Sequence, residues 1–137
     1  RMKRESYSMD EIMPVIRMSL KNNGNFTMVP KGTSMEPFIH GGRDKVVLEP
    51  LPAQIKKYQI ILYQRDDGSY VMHRVVGKDS SGYIMRGDNQ SVNERGITKN
   101  QMIAKVKNII RDGKIIDAES PVELFLLKVH MLWKKIR

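Results

Sequence analysis

Tyr58-Gln59-Ile60-Ile61-Leu62-Tyr63-Gln64-Arg65-Asp66-Asp67-Gly68-Ser69-Tyr70-Val71-Met72-His73-Arg74-Val75-Val76 reads as a β-hairpin. Its first limb, Tyr58 to Tyr63, is a strongly apolar strand. Arg65 to Ser69 carries the small, polar and glycine residues that reverse a chain tightly. Successive side chains of a strand point to opposite faces, so Val71, His73 and Val75 share one face of the second limb and Tyr70, Met72, Arg74 and Val76 the other. His73 therefore stands among apolar neighbours, where a lone histidine ordinarily serves as a hydrogen-bonded core residue.

Working outward, the same short-strand grammar recurs. Phe26 and Met28 fall on one face of a period-two stretch that starts at Asn25 and breaks at Pro30-Lys31-Gly32. Lys45-Val46-Val47-Leu48 is a β-branched run, and the prolines of Glu49-Pro50-Leu51-Pro52, which lack a backbone N–H, confine that piece to a loop or an edge. Beyond the hairpin, Asp79-Ser80-Ser81-Gly82 turns the chain into Tyr83-Ile84-Met85-Arg86, followed by Gly87-Asp88-Asn89 and a polar loop from Gln90 to Gly96. Met102 to Val106 and Asn108 to Ile110 are two further strands, and Asp112-Gly113 leads into Lys114-Ile115-Ile116. The implied fold is mainly β over residues 25–117: a small antiparallel barrel-like or coiled sheet, closed or nearly closed.

A helix is expected at each end of this single domain, over 1–24 and 118–137. Ser8-Met9-Asp10-Glu11 is a capping box ahead of Ile12, Val15, Ile16 and Leu20, with Asn22-Asn23-Gly24 as the stop. Pro14 suggests a start at Asp10 or a kink, since proline past the first turn removes a backbone bond. No catalytic role is expected of this helix. Ser120-Pro121-Val122-Glu123 opens the second, whose stripe of Val122, Phe125, Leu126, Val129, Leu132, Trp133 and Ile136 either packs on the sheet or lies on a membrane surface or partner.

Composition excludes several chemistries. The 137 residues contain no cysteine, which rules out disulfides, thiolate catalysis and cysteine zinc sites. His40, His73 and His130 have no metal-ligand spacing, so neither a metal nor a cofactor is expected. A net charge of +9 suits an anionic neighbour, but the basic residues are scattered apart from Lys56-Lys57 and Lys134-Lys135-Ile136-Arg137, with no aromatic interleaving; nucleic acid is disfavoured. No apolar run is long enough to span a bilayer and no signal peptide is evident, which together with Arg1 ahead of a start-like Met2 points to a cytoplasmic or peripherally membrane-associated chain.

The remaining motif is Gly32-Thr33-Ser34-Met35-Glu36-Pro37. A serine hydroxyl is a weak nucleophile, so it needs a base within reach and donors aimed at the developing oxyanion. Taken with His73-Arg74-Val75-Val76, Gly87-Asp88-Asn89 and Arg95-Gly96 in that order, the serine motif resembles signal peptidase I, in particular the branch found in the endoplasmic reticulum, archaea and some Gram-positive bacteria. The resemblance runs from about Asn25 to Lys107. It implies a mainly β peptidase fold with Ser34 as nucleophile and His73 in the base position that bacterial signal peptidases and LexA-type repressors give to lysine. A histidine near its ordinary pKa of about 6.5 can accept the serine proton at neutral pH.

The same resemblance offers two carboxylates to orient the imidazole: Asp88, and Glu94, which stands where the family usually has aspartate. The position that carries an oxyanion-stabilising hydroxyl in some relatives is Gly32, which shifts that duty to the Ser34 N–H, with Thr33 and Met35 as the flanking oxyanion and substrate-binding positions. The implied substrate is an extended peptide or leader segment, with small side chains beside the scissile bond. Two alternatives accompany this expectation: a non-catalytic binding module that uses the basic surface and C-terminal helix, and a LexA-type self-cleaving domain, disfavoured by the histidine and by the lack of a DNA-binding helix pair.

Overall fold

The hairpin forms, with its first strand starting two residues later than the sequence suggests because Tyr58 sits in a turn at φ 77°. In the computed structural model, which describes residues 8–136, strands β3 (Ile60–Gln64) and β4 (Tyr70–Asp79) pair antiparallel, with Ile61 opposite His73 and Tyr63 opposite Val71. Around them lie α1 (Met9–Asn23), β1 (Phe26–Met28), β2 (Lys45–Glu49), β5 (Gly82–Arg86), β6 (Glu94–Ile97), β7 (Met102–Arg111), β8 (Lys114–Asp117) and α2 (Pro121–Ile136). Arg1, Met2 and Arg137 lie outside the described residues.

The strands form one antiparallel sheet in the order β1-β2-β7-β3-β4-β5-β6, with β8 paired to β7. The expected mainly β fold with a helix at each end is what the chain adopts, but the sheet stays open. β1 pairs only with β2, and residues 70–73 of β4 pair only with β3, because the β4–β5 ladder begins at Arg74 opposite Arg86. These two strand edges, like those of β6 and β8, are left uncapped by other strands.

β3 is buried on both faces, and its alternation separates two cores. Ile60 and Leu62 join Val46, Leu48, Val106 and Ile109 beneath α1, which contributes Met13, Ile16 and Leu20. Ile61 and Tyr63 face Val75, Met85, Ile97 and Met102 in the second. Burying each such side chain stabilises the fold by about 1.5–3 kcal/mol.

Local signals explain most boundaries. Ser8 caps α1 through the reciprocal box with Glu11, and Gly24 ends it in the left-handed region at φ 84°. The helix starts at Met9 and runs through Pro14, one turn past its start; Pro14 leaves the Asp10 carbonyl without a helical donor at an exposed position, where water can serve. Asp112 and Gly113 both have positive φ, the geometry of a tight hairpin between β7 and β8.

Three expectations are corrected. The polar stretch from Gln90 to Gly96 is not all loop: β6 begins at Glu94, with Met85 as its partner and Tyr83 opposite Ile97. Pairing to β5 supplies what the polar sequence does not advertise. The two strands expected over 102–110 are one continuous strand, β7, which bridges β2 and β3. Finally, of the two placements open to the apolar stripe of α2, packing on the sheet is not the one adopted; only Glu123 and Leu127 of that helix are buried.

Candidate active site

Ser34 sits in the loop between β1 and β2, on a segment anchored from below by the buried side chains of Met35, Phe38 and Ile39. The Glu36 N–H donates to the Thr33 carbonyl at 3.2 Å, and the Phe38 and Ile39 N–H groups both donate to Met35 at 3.0 Å. Gly32, at φ 87°, occupies the left-handed conformation that lets the chain enter this turn. Among the described residues no acceptor takes up the Ser34 or Met35 N–H.

The Gly87-Asp88-Asn89 motif supports this loop from behind. The Asn89 N–H donates to the Ser34 carbonyl at 2.8 Å, and the Asn89 side-chain amide donates to the Thr33 carbonyl at 3.1 Å. The approach is close enough that a Cβ on Gly87 would lie 2.6 Å from the Ser34 oxygen.

His73 is 3 % exposed on β4. Its Nδ1 faces Tyr63 Oη at 3.4 Å and Glu94 Oε2 at 3.8 Å. The Tyr63 hydroxyl donates to Glu94 Oε1 at 3.0 Å, so its oxygen is left to accept from His73 Nδ1–H. That arrangement fixes the proton on Nδ1 and leaves Nε2 with a lone pair, the tautomer a general base requires. Arg65 grips the other side of Glu94: Nε donates to both carboxylate oxygens at 3.1 Å and Nη2 to Oε2.

The electrostatics of this group are mutually consistent. Burial pushes the His73 imidazole below its ordinary value, outweighing the Glu94 charge that pulls it up. Burial works to raise the Glu94 carboxyl, but the hydrogen bonds and charge of Arg65 and the Tyr63 hydroxyl bring it below the usual range. Tyr63 is pushed far up by burial and by Glu94, so it keeps its proton. The resting site thus holds a neutral imidazole beside an ionised carboxylate.

Asp88 is placed differently. Its carboxylate forms a two-pronged pair with Arg74, Nε to Oδ1 at 2.9 Å and Nη2 to Oδ2 at 2.7 Å, and both side chains are buried. Arg74 Nη1 also donates to the Tyr58 carbonyl at 2.8 Å, and the guanidinium lies 5.6 Å from the Phe38 ring. From α2, His130 Nε2 donates to the Asp88 carbonyl at 2.8 Å, and Lys134 donates to it at 3.2 Å. Of the two candidate carboxylates, the fold brings Glu94 to the imidazole and commits Asp88 to holding the serine loop, β4 and α2 together.

Ser34 and His73 both line a cavity of about 790 Å³. Its walls are mostly apolar and include Met9 and Ile12 of α1, Phe26 and Met28 of β1, and Leu62, Tyr70 and Met72 of the hairpin. The uncapped edges of β1 and of residues 70–73 of β4 border it. Among the described residues no hydrogen bond joins the Ser34 hydroxyl to His73.

Sequence reasoning missed Tyr63, Arg65 and the contribution of α1. Tyr63 carried a signal, since the hairpin register puts it on the face that holds His73. Arg65 sits in a turn and meets Glu94 only through the pairing of β6, which the sequence did not reveal. No protein-family model matches this chain, and neither does any curated protein.

Proposed function

We propose that this protein is a serine endopeptidase that cleaves an extended peptide. The observation that carries the reading is the orientation of His73: its Nδ1 is held by Tyr63 and Glu94 while the residue lines the cavity shared with Ser34. In the proposed reaction Ser34 Oγ attacks the scissile carbonyl as His73 Nε2 accepts the hydroxyl proton. The oxyanion then faces the N–H groups of Ser34 and Met35, with Glu94 stabilising the imidazolium. His73 passes the proton to the departing amine, and a water repeats the sequence on the acyl-enzyme. The uncapped edges of β1 and of β4 at residues 70–73 suit a substrate bound as an added strand, its side chains directed into the apolar cavity.

A second reading, a peptide-binding module without turnover, is favoured by one observation, the missing hydrogen bond between Ser34 and His73. Incubating the protein with a peptide library and following fragments by mass spectrometry separates the two. Cleavage by the wild type that disappears in Ser34→Ala and in His73→Ala is expected. Cleavage that survives Ser34→Ala would sink the peptidase reading, and peptide binding without any fragments would establish the second.

A further inference from the structure

α2 carries apolar side chains on the face turned away from the domain as well as on the face that holds it. Leu127 is its one fully buried apolar side chain, with Leu124 and Met131 half-buried beside it, and polar anchors complete the attachment: Glu123 paired with Arg111, and His130 and Lys134 on the Asp88 carbonyl. The face turned outward is a continuous apolar stripe. Val122, Phe125, Val129, Leu132, Trp133 and Ile136 are each between 48 % and 71 % exposed, and at 3.6 residues per turn they share an arc of about 100°. Scattered exposed apolar residues need no explanation, but a continuous stripe along a whole helix marks an interaction surface.

The charge around the stripe says what covers it. The only acid in α2 is Glu123, which is buried against Arg111, so the exposed part of the helix offers apolar groups and cations alone. Lys128 and Lys135 flank one side of the arc. Lys128 lies 5.8 Å from the Tyr58 ring, and Lys57 approaches the same ring at 5.1 Å, so the Lys56-Lys57 pair extends this basic margin. A second copy would bring a like-charged margin against it. The stripe also lacks serine, threonine, asparagine and glutamine, so its one neutral hydrogen-bonding group is the Trp133 indole N–H, too little to register a specific protein partner. Apolar side chains that include an indole, bordered by lysines able to reach upward, fit the boundary between acyl chains and anionic headgroups.

We infer that α2 is an in-plane membrane-docking helix that seats its Phe125–Trp133 stripe in an anionic bilayer surface. This inference stands independently of the peptidase reading. Among the described residues no helix is long and apolar enough to cross a membrane, so docking is along the surface. Because α2 also holds the Asp88 carbonyl, and Asn89 beside it holds the Ser34 carbonyl, a docked helix fixes the cavity relative to the bilayer.

Trp133 is the only tryptophan in the chain, so its fluorescence reports the stripe directly. The protein is titrated with vesicles of phosphatidylcholine alone and with vesicles containing roughly a third phosphatidylglycerol. The expected result is a blue shift of Trp133 emission, quenching by doxyl-labelled lipid and flotation with the anionic vesicles, with weak binding to the neutral ones. The exposed double variant Phe125→Ser/Leu132→Ser, checked for folding by circular dichroism, is expected to lose about tenfold or more in vesicle affinity. Unshifted emission with anionic vesicles would overturn the inference, and doxyl quenching in the unmutated protein decides this even if the variant misfolds. Equal vesicle binding by the variant would also overturn it, as would a mass doubling that the same substitutions abolish, which would make the stripe a contact between copies.

Discussion

The Glu94 carboxylate lies 3.8 Å from His73 Nδ1, and the Tyr63 hydroxyl stands beside both, bonded to Glu94 at 3.0 Å. The carboxylate therefore acts on the imidazole partly through space and partly through the hydroxyl. For the proposed hydrolysis, Glu94→Gln keeps the shape and removes the charge that stabilises the imidazolium, so turnover is expected to fall about hundredfold. Tyr63→Phe leaves the direct contact and is expected to cost about tenfold or less. Steady-state kinetics on the best-cleaved peptide, with thermal midpoints as a folding control, would rank the two. A Glu94→Gln enzyme with undiminished turnover would remove Glu94 from the mechanism.

Asp88 predicts the opposite phenotype. It and Arg74 are both buried, so Asp88→Ala strands a guanidinium away from water with only the Tyr58 carbonyl as a polar partner. Breaking a buried pair from one side costs about 3–5 kcal/mol. Urea unfolding should show a loss of that size for Asp88→Ala, against a much smaller one for Glu94→Gln, whose carboxylate is half-exposed. Similar losses for the two would contradict the division of roles between them.

The pH dependence follows from burial of His73. Its folded pKa lies below its ordinary value of 6.5, so between the two values the unfolded chain binds a proton that the folded chain does not. The stabilisation from His73 is thus complete above about pH 6.5 and is lost as pH falls through the folded value. Glu94, already below 4.5, leaves the upper part of this window undisturbed. NMR titration of the His73 ring protons should give a midpoint below 6.5, and urea midpoints should fall from pH 7.5 to pH 5.5. A His73 midpoint above 6.5 would show that Glu94 dominates over burial.

The sequence carried the hairpin, the caps and the order of the site residues because each depends on neighbours in the chain. Alternation around His73 and the box at Ser8 are local, and both appear as read. What was not legible depends on pairing across the sheet. β6 has too polar a sequence to announce itself, yet its register opposite Met85 carries Glu94 to Arg65, Tyr63 and His73, while Asp88, six residues earlier, turns to Arg74. The choice between the two carboxylates was therefore hidden in a strand that only the folded sheet creates. The outward stripe of α2 was hidden similarly, since a helical wheel shows an apolar face but not which way it points.

Gly87 offers the sharpest test of how the serine is held. A Cβ there would stand 2.6 Å from the Ser34 carbonyl oxygen and 2.8 Å from Gln90 Oε1. The glutamine can swing aside, but the carbonyl is backbone and already accepts the Asn89 N–H. Gly87→Ala must therefore push the Ser34 turn away from its support, at a cost of about 1–3 kcal/mol in stability. Under the peptidase reading the displacement moves the nucleophile relative to His73, and a shift of about 1 Å is enough to lower turnover about hundredfold. Gly77→Ala is the matched control, because its added methyl meets only Ile84 Cδ1, at an ordinary 3.5 Å. Measured by urea unfolding and peptide hydrolysis, Gly77→Ala should stay within about 1 kcal/mol of wild type with its activity intact, while Gly87→Ala loses far more activity than stability. Unchanged activity in Gly87→Ala would mean that the Ser34 carbonyl can move without moving the hydroxyl, and that the Gly87-Asp88-Asn89 motif does not position the nucleophile.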